Sequence, residues 1–156
     1  MATDVTIVSA PATPTAVIAQ ATSWKEFPGL WGDLLGEVWA FVRGNDLSPG
    51  RNIMVYKDDV PNVEVGVEVA GVFAPQGRVI PSTLPAGQAA KAISRGAPSP
   101  AGIAAAHKAV TDWCAANGHE LIGVRWEVYD HWREEDPDSF ETEVYWLLSP
   151  TRSSAS

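Results

Sequence analysis

Basic residues, cysteines and long apolar runs are all scarce in this chain of 156 residues, and each shortage excludes a class of protein. The 11 lysines and arginines are outnumbered by 19 acidic residues, and the formal net charge of -8 leaves no basic run to neutralise phosphates. We therefore expect no direct contact with nucleic acid. The single cysteine, Cys114, excludes an internal disulfide and fits a reducing cytoplasm.

Signals for membranes, metals and phosphate groups are also lacking. No apolar run approaches the roughly 20 residues of a membrane-spanning helix, and the N-terminus lacks a signal-peptide pattern. We therefore predict a cytoplasmic protein without a membrane partner. His107, Cys114 and His119 are spaced seven and five residues apart, which does not bring three ligands to one metal on a helix. Without that site, and without a phosphate-binding glycine loop, we expect no metal and no cofactor.

Hydrophobic residues and tryptophans, in contrast, are plentiful. Hydrophobic residues make up 46% of the chain, which is enough for one domain or for two small repeats that share a core. The seven tryptophans are spread over both halves: Trp24, Trp31, Trp39, Trp113, Trp126, Trp132 and Trp146. Aromatic side chains that packing does not need often line pockets for flat apolar ligands. For Trp113, Trp126 and Trp146 we favour plain core packing.

Hydrophobic periodicity and turn residues define the order of elements. Strands are predicted at 5–9, 15–22, 52–57, 63–69, 79–82, 88–94, 121–129 and 141–148, with a helix inside each half. The order strand, strand, helix, strand, strand occurs twice, which predicts an α+β fold with an antiparallel sheet. A duplicated unit with pseudo-twofold symmetry places two main helices around a central cleft. The single domain covers 1–150, with repeats at about 5–70 and 78–148, and 151–156 form a flexible tail.

The two helices carry different start signals. Ser23 and Glu26 have the spacing of a capping box and Pro28 suits a first turn, so the first helix is predicted to begin between residues 23 and 28. A glycine ends it near residue 44. The second helix is predicted to begin at 99–100, a serine cap followed by proline, and to end at 117–118, an Asn-Gly pair.

The strand at 121–129 places a carboxylate in an otherwise apolar and aromatic segment. With a period of two, Gly123, Arg125, Glu127 and Tyr129 share one face, and the other face is apolar. A desolvated carboxylate beside an aromatic hydroxyl can attract a cation or accept a proton, so Glu127 and Tyr129 are the candidate catalytic residues. The alternative is a solvated glutamate on the polar face of a half-exposed strand.

Further aromatic residues are predicted to face the same cleft. Trp31, Leu35 and Trp39 follow one another at helical spacing and either line a groove or widen the core contact. Tyr56 is expected to join them. Tyr145 is placed there as well, because it shares strand parity with Glu143 on the last strand, as Tyr129 does with Glu127.

Several segments together resemble the GyrI-like small-molecule-binding domain. They are Asp-Asp at 58–59, Val-Gly-Val-Glu-Val at 65–69, Leu-Pro-Ala-Gly-Gln-Ala-Ala at 84–90, Ala-His-Lys-Ala-Val at 106–110 with Trp113, Trp-Glu-Val-Tyr at 126–129 and Thr-Glu-Val-Tyr at 142–145. Their order and spacing carry the resemblance, which spans about residues 5–148. It implies the duplicated fold and an aromatic pocket in which a glutamate, here Glu127, meets the ligand. His107 stands where many relatives have tyrosine, and is included among the ligand-binding candidates.

The resemblance implies a planar hydrophobic small molecule as the partner. Relatives include effector-binding halves of AraC-type and MerR-type multidrug regulators, gyrase-inhibitory proteins and hydrolases of cyclopropanoid compounds. Glu127 is then either a fixed charge in a sensing or sequestering protein, or the base of a cyclopropyl hydrolase. A gyrase-interacting inhibitor is a third function, implied by family membership alone. Because no helix-turn-helix segment is evident, we favour a stand-alone member of the family.

Overall fold

The computed structural model describes residues 4–131 and 134–149, which form eight strands and two α-helices. The strands are β1 (Thr6–Ala10), β2 (Thr13–Ala21), β3 (Ser48–Tyr56), β4 (Asn62–Ala70), β5 (Val79–Leu84), β6 (Gly87–Arg95), β7 (Leu121–Tyr129) and β8 (Glu141–Leu148). The helices are α1 (Trp31–Gly44) and α2 (Pro100–Ala116). The α+β class and the repeated order are confirmed. Trp132 and the tail at 151–156 lie outside the described residues.

The strands of the described chain form one antiparallel sheet in the order β1-β6-β8-β7-β3-β4-β2-β5. The two repeats meet at its centre, where β3 pairs with β7. Strands β1 to β4 of the first repeat correspond to β5 to β8 of the second. If each strand is replaced by its counterpart, the sheet has the same order read from the other edge. The first strand of each repeat is an edge strand that pairs with the other repeat: β1 pairs with β6, and β5 pairs with β2. The geometric pseudo-twofold axis stays a prediction.

Two short links force this sheet to curl. Two residues join β1 to β2, and two join β5 to β6, yet in each pair the strands lie near opposite edges of the sheet. Two residues extend the chain by only about 10 Å, so the edges must approach each other. Ala10 and Leu84 from the two edge strands accordingly join Ile53 and Trp126 from the centre in one buried cluster. This cluster is the inner face of the sheet.

Gly66 permits the close approach of β2 and β4 within the curl. Gly66 is paired with Val17, and a Cβ atom at Gly66 would lie 1.8 Å from the carbonyl oxygen of Ala16. No side chain fits at that distance. Glycine is therefore required here by space.

Both helices pack on the outer face, each over its own half of the sheet. On α1 the buried residues are Leu34, Val38 and Val42, which pack on the valines of β4. On α2 they are Ala106, Val110 and Cys114, which pack on β6 and β8. A gap remains between the helices above the central strands β3 and β7. In the part of the chain that is described, no helix is long and apolar enough to cross a membrane.

The predicted start of α1 is wrong. The capping-box pair does form, since the Glu26 N–H donates to Ser23 Oγ at 3.1 Å and that hydroxyl donates to the Glu26 carboxylate at 3.1 Å. These bonds stabilise a separate turn, because the chain then enters a short 3-10 helix at Phe27–Gly29 that buries Phe27. The α-helix begins only at Trp31. The start of α2 is confirmed, with Ser99 Oγ accepting from the Gly102 N–H at 3.0 Å.

The turn between β3 and β4 is built by Asp58. Its carboxylate accepts from the backbone N–H groups of Val60 and Asn62 at 3.0 and 2.8 Å, and from the Asn62 side chain at 2.6 Å. These bonds, led by the one from the Asn62 side chain, lower the pKa of Asp58 below its ordinary value. This turn joins β3 and β4 in a hairpin and fixes the neighbouring Asp59 beside the cavity described next.

Candidate functional site

A cavity of about 790 Å³ lies between α1 and α2 on the outer face of the sheet. This volume falls within the range of small-molecule pockets. Its walls are largely apolar: Trp24, Phe27, Trp31 and Leu35 on the α1 side, and Ile103 and Ala104 on α2. Its floor comes from the central strands, and that is where its charged side chains lie.

Strand register brings the floor residues together. Met54 of β3 is paired with Glu127 of β7, and Tyr56 is paired with Arg125, so alternate residues of both strands point to the same face. Tyr129 follows on that face of β7 and also lines the cavity. Glu127 is only 3% exposed, which excludes the alternative of a solvated glutamate.

The Glu127 carboxylate has hydrogen-bond partners on three side chains. Oε1 accepts from the Tyr129 hydroxyl in a short contact and from the Tyr56 hydroxyl at 3.2 Å, and Oε2 lies 2.6 Å from His107 Nε2. Burial, and then the charge of Glu127, raise the pKa of both tyrosines well above the ordinary value. Both hydroxyls therefore remain protonated donors at physiological pH.

His107 links this carboxylate to Trp146 on β8. The Trp146 indole N–H donates to His107 Nδ1 at 2.9 Å, and the two rings meet edge to face with centroids 5.9 Å apart. His107 therefore has a partner at each ring nitrogen. The chain from Trp146 through His107 to Glu127 connects β8, α2 and β7.

Arg125 lies two residues before Glu127, but its charge is directed elsewhere. The guanidinium lies between the rings of Trp146 and Trp24, 4.8 and 5.4 Å from their centroids. It forms an ion pair with Asp59 at 2.8 Å and donates to the Gly123 carbonyl oxygen at 2.9 Å. Within residues 4–131 and 134–149, Glu127 forms no ion pair with a lysine or arginine, and its basic neighbour is His107.

Six of the predicted site residues line the cavity: Trp31, Leu35, Tyr56, His107, Glu127 and Tyr129. Trp39 does not line it. Its indole N–H donates instead to Asn52 Oδ1 at 2.7 Å, and Asn52 is a lining residue. Trp39 therefore positions part of the wall from behind.

The prediction that Tyr145 faces the cleft is wrong. Glu127 is paired with Val144, whereas Tyr145 is paired with Trp126 on the inner face, and directly paired residues share a face. The Tyr145 ring stacks on Trp126 with centroids 5.1 Å apart, and its hydroxyl donates to Glu143 at 2.6 Å. Alternation along β8 predicts that Glu143 and Tyr145 share a face. Which face of the sheet that is depends on the register of β8 against β7.

Several lining residues were not identified from the sequence, among them Trp24, Met54, Arg125 and Trp146. Arg125 carried a usable signal, because it shares strand parity with Glu127. Trp146 was assigned to core packing, and it does pack against α2, but the register of β8 also directs it to the cavity. No group of three or more His, Cys, Asp or Glu side chains that could hold a metal occurs among the described residues.

Residues 3–149 match the GyrI-like small molecule binding domain. The chain belongs to this family. The cavity between the helices is therefore in a small-molecule-binding domain. No curated protein sequence matches the chain significantly.

Solved structures share the fold of this GyrI-like domain. The C-terminal domain of EcmrR has a TM-score of 0.76 and 18% identity, with 96% of this chain and 99% of that chain covered. SAV2435 bound to tetraphenylphosphonium has a TM-score of 0.63 and 13% identity, with 96% and 95% covered. A hydrolase encoded by lin2189 from Listeria innocua has a TM-score of 0.53 and 11% identity, with 93% and 91% covered. At these identities the likeness concerns the fold alone.

Proposed function

We propose that this protein binds planar hydrophobic cations in the cavity and that Glu127 supplies the negative charge that attracts them. The observation that carries this proposal is a carboxylate, 3% exposed, on the floor of an aromatic cavity and without a lysine or arginine partner in the described chain. A buried charge without an opposite charge is costly. The three hydrogen bonds to Glu127 offset part of that cost, and a ligand cation offsets more.

The walls suit the rest of such a ligand. Trp24, Trp31 and Phe27 offer aromatic faces that stack on flat rings and attract cations. SAV2435, which shares the fold, is described in complex with tetraphenylphosphonium, a lipophilic cation. That ligand supports a lipophilic cation for this protein, whereas the flat shape is proposed from the aromatic walls alone.

The test is a calorimetric titration with two ligands that share one ring system: N-methylacridinium, which is a permanent cation, and acridine at pH 8, where it is neutral. We expect the cation to bind with a micromolar Kd, about -8 kcal/mol. Glu127→Gln should lower the affinity for the cation by about tenfold or more, equivalent to about 1.4 kcal/mol, while the affinity for acridine stays nearly unchanged.

Glu143→Gln is the matched control, because Glu143 is a carboxylate of the next strand that lies on the inner face. It should leave the affinity of both ligands unchanged. Equal weakening of the cation and of acridine by Glu127→Gln would show that the change damages the pocket shape and that charge is not the attraction.

A second function, hydrolysis of strained cyclopropanoid electrophiles, is supported by the contact between Glu127 and Tyr129. Water would lose a proton to Glu127 as its oxygen attacks a cyclopropane carbon. The breaking carbon–carbon bond would pass its electrons to a conjugated carbonyl oxygen, which takes a proton from Tyr129. Three side chains already occupy lone pairs of Glu127, which leaves it less able to accept a proton from water. This arrangement favours ligand binding over hydrolysis.

Hydrolysis is tested by incubating the protein with a cyclopropanoid compound and detecting a water adduct by mass spectrometry. Glu127→Gln should reduce turnover by about a hundredfold or more. Turnover that the variant fully retains would remove Glu127 from the mechanism.

A further inference from the structure

The two hydrogen bonds of the His107 ring define which of its nitrogens carries the proton. An indole N–H can only donate, so Nδ1, which faces Trp146 at 2.9 Å, must accept. A carboxylate accepts, so Nε2, which faces Glu127 at 2.6 Å, must carry hydrogen. One form of the ring satisfies both bonds, namely neutral imidazole protonated at Nε2. In an imidazolium ring Nδ1 would also carry a hydrogen, and this N–H would point at the N–H of Trp146.

We propose that Trp146 is a positioning residue that holds His107 in this neutral form and thereby leaves the charge of Glu127 uncompensated. Histidine is the side chain that ordinarily changes charge between about pH 5 and pH 8. A protonated His107 in the same position would form an ion pair with Glu127 and cancel the charge on the cavity floor. Trp146 opposes that change, because its donor would lose its acceptor and face a second donor.

The charged and titratable groups around His107 are few. β7 presents Glu127, Arg125 and Tyr129, and β3 presents Tyr56, whose ring centroid is 6.4 Å from that of His107. β8 presents the uncharged Trp146, and the alanines of β6 pack under α2. On α2 itself, Lys108 is exposed and paired with Asp112 at 2.5 Å. Glu127 is the group that favours protonation of His107, and Trp146 is the side chain hydrogen-bonded to the other nitrogen.

The consequence for binding rests on the proposed function. A cavity floor that keeps its negative charge should bind a permanent cation equally well on either side of pH 6.5. Without the Trp146 donor, His107 can gain a proton as the pH falls, and the cation should then bind more weakly. The indole of Trp146 thus makes cation binding insensitive to pH.

The first measurement is the ¹⁵N NMR spectrum of the histidine rings between pH 5.5 and 8, with His107 assigned by its loss in His107→Gln. The wild type should show the neutral pattern protonated at Nε2 throughout the range. Trp146→Phe should move His107 towards imidazolium at acid pH. Trp113→Phe, a tryptophan of α2 that stacks on His119, is the matched control and should behave as the wild type. A wild-type His107 that is protonated at Nδ1 or titrates in this range overturns the proposal, whether or not the variants fold.

The second measurement is the affinity for tetraphenylphosphonium at pH 5.5 and pH 8. We expect less than a twofold change for the wild type, and a loss of about fivefold or more at pH 5.5 for Trp146→Phe. Adding His107→Gln to Trp146→Phe should abolish the loss, because glutamine offers the same donor and acceptor and cannot be charged. A loss that persists in the double variant overturns the role of His107.

These two measurements separate the two proposals. Wild-type protein that binds no cation at any pH, yet shows the neutral His107 pattern that Trp146→Phe alters, contradicts the proposed function and supports the positioning role. Trp146→Phe with an unchanged His107 spectrum contradicts the positioning role, whatever the cation affinity.

Discussion

The tripeptide Glu-Val-Tyr occurs twice, at 127–129 on β7 and at 143–145 on β8. The glutamate and tyrosine side chains of the first copy point to the outer face of the sheet, and those of the second copy point to the inner face. In both, a tyrosine hydroxyl donates to the glutamate two residues before it. Glu143 also has Arg51 at 3.2 Å and Lys91 at 3.9 Å. Glu127 has two tyrosine hydroxyls and His107 as partners, and no lysine or arginine among the described residues. The same local sequence therefore gives a glutamate paired with arginine and lysine on one face and a glutamate without such a partner on the other.

The comparison teaches that the register of β8 against β7, together with what packs on each face, decides the role of a carboxylate. On the inner face Arg51 of β3 reaches across β7 to Glu143 on β8. On the outer face the helices stand apart, and the space above Glu127 remains open to a ligand. A buried carboxylate beside such a space is the reason we propose the ligand site here.

The largest expected effect concerns the sheet that carries both faces, at the close approach of β2 and β4. Gly66→Ala would place a Cβ atom 1.8 Å from the Ala16 carbonyl oxygen, so β2 and β4 must separate. We expect a loss of about 4 kcal/mol or more in the free energy of unfolding, or no folded protein. Gly36→Ala, in the exposed part of α1 with nothing within 4 Å of the new Cβ, should instead stabilise the protein by about 1 kcal/mol. Urea denaturation measures both, and a Gly66→Ala variant as stable as wild type contradicts the close approach.

Alkaline pH should lower the free energy of unfolding, because the three tyrosines of the chain, two on the outer face and one on the inner face, all have a raised pKa. For Tyr56, Tyr129 and Tyr145 burial is the main cause, and the neighbouring glutamate adds to it. A raised pKa means that the stabilisation is fully present below the unfolded value near 10 and is lost as pH rises above it. For Tyr56 and Tyr129 the loss is about 1.4 kcal/mol per group for each pH unit.

The measurement is phenolate absorbance recorded together with tryptophan fluorescence as the pH is raised. Phenolate should form only as the protein unfolds. A tyrosine that ionises near pH 10 in protein that is still folded disagrees with this account of its burial.

Replacing Glu143 or Glu127 by glutamine should change the free energy of unfolding in opposite directions. Glu143→Gln removes a partner from Arg51 and Lys91 and should lower the free energy of unfolding by about 1 to 2 kcal/mol. Glu127→Gln removes a buried charge that has no lysine or arginine partner, and should raise the free energy of unfolding by about 1 kcal/mol. Thermal unfolding at pH 7 distinguishes them. Destabilisation of similar size by both substitutions would mean that the two carboxylates are equally balanced.

The smallest effect is expected at Thr142, which is paired with Tyr129. Its hydroxyl oxygen is buried and has no hydrogen-bond partner among the described residues. Thr142→Val replaces this oxygen with a methyl group and should stabilise the protein by about 0.5 to 1 kcal/mol. Denaturation curves would detect that gain, and a loss of stability would point to an unseen partner of the hydroxyl.

Most of the fold was predictable because its signals are local. Alternating valines identified β4, Ser99 with Pro100 identified the start of α2, and β7 and β8 were predicted with the bounds that they have. The start of α1 was missed because a real capping pair, Ser23 with Glu26, stabilises a turn before the helix.

The site was predictable only in part. The carboxylate and Tyr129 share a strand, so their common face follows from a period of two. The face of Tyr145 and the place of Trp146 depend on the register between β7 and β8, which no residue of either strand specifies by itself. The tautomer of His107 depends on a hydrogen bond across 39 positions of the chain. Such contacts emerge only when the sheet and helices have assembled.

The central claim is that a cation binds over Glu127 and not at the other carboxylates. A crystal structure with tetraphenylarsonium tests it most directly, because anomalous scattering from arsenic locates the charged centre. The account predicts one arsenic peak inside the cavity between α1 and α2, with Glu127 as the nearest carboxylate. A peak beside Glu143 on the inner face, or beside exposed Asp59 with the cavity empty, would contradict it.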